Sequence, residues 1–186
     1  MEDNRLAAAA AKGDREAFAT LVLRYRTYVY RLAYKIALHE EDALDITQNV
    51  FLRLLERIGT FDGTGNFRAW LGTITARLAI DFLRSRNRRP STVEMESAPV
   101  PVSEDANPRE LCDREMRKER ITRVMAELSP QQRAVIALRL HEDLGPKEIG
   151  EHMGIPARQV RVQLVRAIAR IREILQIDLD DGENDR

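Results

Sequence analysis

One cysteine, one tryptophan and an aromatic share of 5% leave this 186-residue chain short of most site chemistries. Cys112 alone makes no internal disulfide and suits a reducing compartment. His39, His141 and His152 share no metal-ligand spacing, and one cysteine does not complete a zinc site with them. Neither a metal nor a cofactor is therefore expected. There is no phosphate-cradling glycine motif and no nucleophile elbow, which argues against an enzyme. No apolar run reaches the roughly 18 residues that a membrane span needs. Leu6–Ala11 is too short and too alanine-rich for a signal-peptide core. The expectation is a soluble protein of the cytoplasm.

Net charge is absent too, since 30 basic residues balance 30 acidic ones. The balance hides a placement. Between Ile155 and Arg172 there are five arginines (158, 161, 166, 170 and 172) and no acid. Residues 178–186 carry five acids against Arg186 alone. A basic element and an acidic end coexist, so the overall charge says little about partners. The simplest reading of residues 177–186 is a solvated acidic tail, with self-masking of the basic element as the other.

Abundant Ala, Leu, Arg and Glu favour helices. The segment from Pro90 to Pro108, PSTVEMESAPVPVSEDANP, has four prolines and no apolar period. It reads as a linker over 91–107, because it buries too little to offset its ordering entropy. It divides a domain at 1–90 from another at 108–176. The expected fold is all-α: two small helical domains joined by a flexible linker, the C-terminal one a four-helix helix-turn-helix domain.

In the first domain, Phe18, Leu21, Val22, Tyr25, Val29, Leu32 and Ile36 recur at helical spacing, with Asp14 as N-cap. A second helix spans about 40–58, with Ile46, Val50, Leu54 and Ile58 inward. The turn-rich GTFDGTGN follows, and a third helix from Asn66 carries Phe67, Leu71, Ile74, Leu78 and Phe82 inward until Pro90 stops it. In the second domain, Asn107-Pro108 opens a helix with Ile121, Val124, Met125 and Leu128 on its apolar side. Ser129 to Gln132 reads as a capping box. Gly145-Pro146 opens a short helix, Gly154 breaks it, and Ile155-Pro156 opens the last.

That last pair is a helix-turn-helix pattern. At 100° per residue, Val160, Leu164, Ile168, Ile171 and Leu175 face inward. Arg158, Gln159, Val162, Gln163, Arg166 and Arg170 lie opposite, with Arg161 on the flank. Arginine and glutamine read guanine and adenine edges, and valine meets a thymine methyl. An ordinary basic surface helix is the plain alternative.

Two further stripes stand out. On the second helix, Asp42, Asp45, Asn49, Leu52 and Glu56 align, with Gln48 at the edge and no base among them. Phosphates repel such a face, so it suits a protein partner. On the third, Trp70, Arg77, Arg84 and Arg88 align, as an aromatic beside a cation track for single-stranded nucleic acid. Trp70 as a core residue is the bland reading of the same pattern. Two functions remain open on these grounds: an autonomous helix-turn-helix regulator and a helical adaptor that binds protein only.

The segments GDREAFATLVLRY, DALDITQNVFLRL, NFRAWLGTITARLAIDFLR, LSPQQRAVIALR and GPKEIGEHMGIPARQVRVQLVRAIARIR resemble, in that order, the bacterial sigma factors of the extracytoplasmic-function (ECF) group. These are members of the sigma-70 family that keep only regions 2 and 4. The resemblance implies a promoter-specificity subunit of RNA polymerase that responds to an environmental or stress signal. Asp42, Asp45, Gln48, Asn49, Leu52 and Glu56 would dock on the β′ clamp helices, with Phe51 more a packing residue. Phe61, Asp62, Thr64, Asn66, Trp70, Arg77, Arg84, Arg86, Arg88 and Arg89 would melt and read the −10 element. Lys147, Arg158, Gln159, Arg161, Val162, Val165, Arg166 and Arg170 would meet the −35 element. The β flap of polymerase and an anti-sigma factor are further implied partners. Three departures stand out: Asn49 where the family usually has Glu, ARQV at the start of the last helix, and Gly145 where a serine cap is usual.

Overall fold

The computed structural model describes residues 2–61, 63, 65–88 and 119–183. Its helices are α1 (Glu2–Ala11), α2 (Arg15–Ala37), α3 (Glu40–Arg57), α4 (Phe67–Arg88), α5 (119–126), α6 (Pro130–His141), α7 (Pro146–Met153) and α8 (Ala157–Glu183). A 3-10 turn (Ile58–Thr60) ends α3, and there is no strand among the described residues. The expected linker and the Asn107-Pro108 helix start lie outside those residues.

Local signals placed most boundaries. The Asp14 carboxylate accepts from the backbone N–H groups of Glu16 and Ala17 and so caps α2. Ser129 and Gln132 form the expected capping box on α6. The sequence had given no sign of α1. Its alanines Ala7 and Ala10 are buried, and small side chains there let it lie close against α2 and the 3-10 turn. Asp3 fixes that contact by accepting from the Tyr25 hydroxyl at 2.9 Å and from Arg24.

Helix α4 departs most from its expected form. Phe67 and Leu71 are fully buried as predicted, but Ile74, Leu78 and Phe82 are only half-buried. Ala69, Thr73, Thr75, Ala76, Ala79, Ile80 and Leu83 are buried instead, so the helix is covered on several sides. Helices α2 and α3 pack on it from the N-terminal half, α6 and α7 from the C-terminal half. A stripe analysis assumes one buried face and so under-counts a central helix.

The two halves meet directly. Val135 and Leu138 of α6 share one apolar cluster with Leu21, Val29 and Leu71. Gly72 permits the approach: a Cβ there would collide with the Tyr28 hydroxyl and touch Leu138. Beside it, Arg68 donates through Nε to both carboxylate oxygens of Glu142, at 3.1 and 3.2 Å. The Glu142 side chain is 2% exposed. The Arg68 guanidinium also lies over the Tyr28 ring, 4.5 Å from its centroid. Burial, and then the nearby Glu142 charge, push the Tyr28 phenol above the ordinary tyrosine range, so it remains a donor.

Around α8 the packing differs in detail from the wheel. Val124, Leu128, Ala167 and Ile174 are buried, whereas Ile121 is 57% and Ile168 is 51% exposed. Ala167 takes the inward place expected of Ile168, in a cluster with Leu128 and Ile136. The helix also continues through most of the expected acidic tail, to Glu183.

Two consequences are measurable. Glu142→Ala removes the buried acceptor of a charge-assisted pair and should cost about 2 kcal/mol in urea unfolding. A cost near zero would mean that apolar contact alone holds the halves. Burial raises the Asp3 pKa, but hydrogen bonds from Arg24 and Tyr25 outweigh it, so the net shift is downward. A lowered carboxylate pKa stabilises the fold above the unfolded value of about 3.9, and the gain is lost as pH falls through the folded value. The stability gap between the native chain and Asp3→Asn should therefore be open at neutral pH and close below about pH 4. A gap independent of pH would contradict that linkage.

Candidate nucleic-acid interface

Helices α7 and α8 form the expected helix-turn-helix. Gly154 ends α7 in the left-handed region (φ +67°), where glycine carries no Cβ penalty. The Ile155 N–H then donates to the Gly150 carbonyl at 2.9 Å. A Cβ on Gly150 would stand 2.7 Å from the Ile155 carbonyl oxygen, so the turn has no room for a side chain there. At the start of α7, Gly145 offers no side-chain cap, and the Glu148 carboxylate accepts from its N–H at 2.7 Å.

With Val160, Ala167 and Ile174 buried, α8 turns Arg158, Gln159, Arg161, Val162, Val165 and Arg166 outward. Arg158, Arg161 and Arg166 have no ion pair among the described residues. Arg170 differs from them. It bonds Glu127 at 2.8 Å and Glu173 at 2.9 Å, so its charge is spent joining α8 to the α5–α6 turn. Lys147 is exposed, 3.8 Å from Glu151 one turn along α7.

The loop before α4 and the first turn of that helix make a second surface. The Phe61 ring packs 5.4 Å from Phe67 and 5.3 Å from Trp70, and Phe67 reaches Tyr25 at 5.3 Å. Trp70 is thus half-buried in an aromatic cluster with part of its ring still open. Trp70 therefore takes part in the core without being enclosed by it. The Asn66 side-chain oxygen accepts from the N–H groups of Arg68 and Ala69 and caps α4. Arg77 and Arg84 are exposed, and Arg77 donates to the His152 carbonyl only at the long limit of 3.5 Å. Asp62, Thr64, Arg89 and the Arg88 side chain fall outside the described residues.

The outer face of α3 is a third surface. Asp45, Gln48, Asn49, Leu52 and Glu56 are exposed, Leu52 at 57%, while Phe51 packs half-buried against the core. Asp42 is not part of it. It is 7% exposed and accepts from Arg86 of α4, so the fold pairs a residue expected at the docking face with one expected at the −10 DNA. The periodicity of one helix does not reveal a partner 44 residues away. Nor is the stripe free of bases, since Arg53 reaches Glu56 at 3.1 Å. Leu44 and Leu55, which the sequence reading passed over, join Leu52 as exposed leucines on this side. Between α3 and α4 lies a groove of about 430 Å³ lined by Asn49, Leu52, Arg53, Leu78 and Phe82.

Sequence reasoning also missed three polar residues with structural duties. Asn4 of α1 bonds the loop before α4, at the carbonyls of Gly63 and Gly65. Glu142 bonds Arg68 across the halves. Buried Arg133 donates to the Met125 and Leu128 carbonyls and closes the end of α5. None carries a local signal, because each partner lies in another element.

Among the described residues there is no group of three or more His, Cys, Asp or Glu placed to hold a metal ion. No described helix is long and apolar enough to cross a membrane. The chain matches the family models for Sigma-70 region 2 over residues 21–89 and Sigma-70, region 4 over residues 118–171. It is 32% identical over 173 residues to the ECF RNA polymerase sigma factor SigE of Mycolicibacterium smegmatis, covering 89% of this chain and 65% of that protein. It is 29% identical over 174 residues to the ECF RNA polymerase sigma factor SigW of Bacillus subtilis, covering 89% of this chain and 92% of that one. These relatives are sigma factors, which are transcription regulators rather than enzymes. In fold it is similar to CnrH in its complex with the cytosolic domain of CnrY, with TM-score 0.65, 24% identity, and 96% and 99% of the two chains covered. With region 2 in its first half, region 4 in its second and ECF relatives along most of its length, the chain belongs to the sigma-70 family, in its ECF group.

Proposed function

We propose that the chain directs RNA polymerase to promoters through three separate surfaces. The outer face of α3 docks on the β′ clamp helices through Asp45, Gln48, Asn49 and Leu52, with Glu56 at its end. The 61–66 loop, Trp70, Arg77, Arg84 and the basic run to Arg89 melt and hold the −10 element. The outward face of α8, from Arg158 to Arg166 with Lys147 nearby, reads the −35 duplex. It has no catalytic or cofactor chemistry of its own and acts in the bacterial cytoplasm.

The observation that carries this reading is the exposed α8 face. Three arginines without ion pairs among the described residues, a glutamine and two valines stand directly after a turn built for close helix packing. Phosphate neutralisation and base-edge reading both need such groups. The α3 face supports the division of labour. Its exposed leucines and acids suit a protein surface and disfavour phosphates. Two contacts on one chain then act together through effective concentration, so each alone need be only modest. We further propose that an anti-sigma factor holds the protein in reserve until a signal arrives. A structure of similar fold, the sigma factor RpoE of Bartonella quintana, was solved in complex with the anti-sigma factor NepR, which supports that partner class.

Reconstituted transcription with core polymerase and a promoter library tests the whole. Specific initiation should require this chain, and its absence would refute the assignment. Asp45→Ala with Leu52→Ala should weaken core binding by about 100-fold, the size of losing two hot-spot contacts. Binding of −35 duplex should remain. Unchanged core affinity would exclude α3 as the docking face.

A further inference from the structure

The loop before α4 is held by a residue far from it in sequence. Nδ2 of Asn4 donates to the Gly63 carbonyl at 2.8 Å and to the Gly65 carbonyl at 3.0 Å. Both acceptors are carbonyls, so the amide orientation is fixed and both of its N–H groups are used. Gly63 sits at φ +74°, a conformation that glycine adopts without penalty. The helix that carries Asn4 is itself anchored. Asp3 next to it bonds Tyr25 and Arg24, Glu2 reaches Arg24 at 3.2 Å, and Ala7 and Ala10 are buried.

These contacts fix the loop from one side while the aromatic cluster fixes it from the other. Phe61 packs against Phe67 and Trp70, and Asn66 caps α4. A segment with three glycines in eight residues (59–66) has much backbone freedom to lose. Two bonds from one anchored amide remove part of that freedom in advance, which is how preorganisation aids binding.

We propose that Asn4 is a positioning residue for −10 recognition: it holds the backbone at Gly63 and Gly65 so that an unpaired promoter base meets a preformed surface. The proposal rests on the reading that this loop receives the −10 element. It predicts that Asn4 acts on base discrimination without touching DNA. Because the bonded atoms are carbonyls, the role requires a donor. Aspartate has the shape of asparagine but does not donate when ionised.

The test uses the full chain bound to core polymerase. Open-complex formation is followed by 2-aminopurine fluorescence at the −10 element, on promoters altered singly in the −10 or the −35 element. Asn4→Ala and Asn4→Asp should each slow opening and compress −10 discrimination about tenfold, as expected for two lost hydrogen bonds. Core affinity, −35 discrimination and thermal unfolding should stay within about twofold or a few degrees of the native protein. A merely structural role would instead lower −10 and −35 discrimination together, or leave Asn4→Asp like the native chain; either result overturns the proposal. A parallel variant, Asp62→Ala with Thr64→Ala, separates the two levels. If it alters −10 discrimination and the Asn4 variants do not, the loop reads DNA and Asn4 does not position it. If neither variant alters it, the loop reading and the proposal fall together.

Discussion

The burial of α4 on several sides is the constraint from which the rest of the arrangement follows. A helix flanked by α2, α3, α6 and α7 has little room for bulk. Its middle accordingly runs through Gly72, Thr73, Thr75, Ala76 and Ala79. The two threonines satisfy their hydroxyls within the helix, Thr73 to the Trp70 carbonyl at 2.7 Å and Thr75 to the Leu71 carbonyl at 2.9 Å. They therefore enter the interior without an unpaired donor. Gly72 gives the closest approach, between Tyr28 and Leu138. A larger residue there would push apart the two halves that the Arg68–Glu142 pair joins.

Holding α4 this way also fixes what hangs from its ends. At its start come the Asn66 cap, the aromatic cluster and the glycine-rich loop; toward its end come Arg84 and the bond from Arg86 to Asp42. The surface assigned to melted DNA is thus built on a helix packed against α2, α3, α6 and α7. A rigid support under a loop of flexible composition is a common solution for binding sites, because the scaffold carries the precision and the loop carries the contact.

Elements defined by neighbours in sequence were legible beforehand. The Asp14 cap, the Ser129–Gln132 box, the Gly154 break and the buried sides of α2 and α3 all follow from periodicity and capping chemistry. The exposure of Asp45, Leu52, Arg161 and Arg166 was legible as well, since each lies off the buried stripe of its own helix. What stayed hidden depends on a second element. Asp42 read as a docking acid because nothing local announces Arg86. Ile168 read as core because its wheel position is correct, yet Ala167 packs with Leu128 and Ile136 instead. Helix α1 looked like an alanine run without a partner, and its partner surface exists only once α2 and the 3-10 turn are folded.

Pairing within the chain sorts the arginines more finely than position does. Arg86 and Arg170 lie on the predicted DNA stripes, but each has been given an acid by the fold, Asp42 and Glu127 respectively. Breaking such a pair to reach a phosphate would exchange one ionic contact for another at little gain. Arg158, Arg161 and Arg166 have no such competitor among the described residues, so the whole of their interaction is available to DNA. Neutralising about three phosphates gives a salt slope near −3, well short of what an autonomous repressor commonly uses. Five arginines in α8 suggested a strong, self-sufficient reader; with Arg170 paired to acids and Arg172 beyond the outward stretch from Arg158 to Arg166, three arginines on that stretch describe a weaker one.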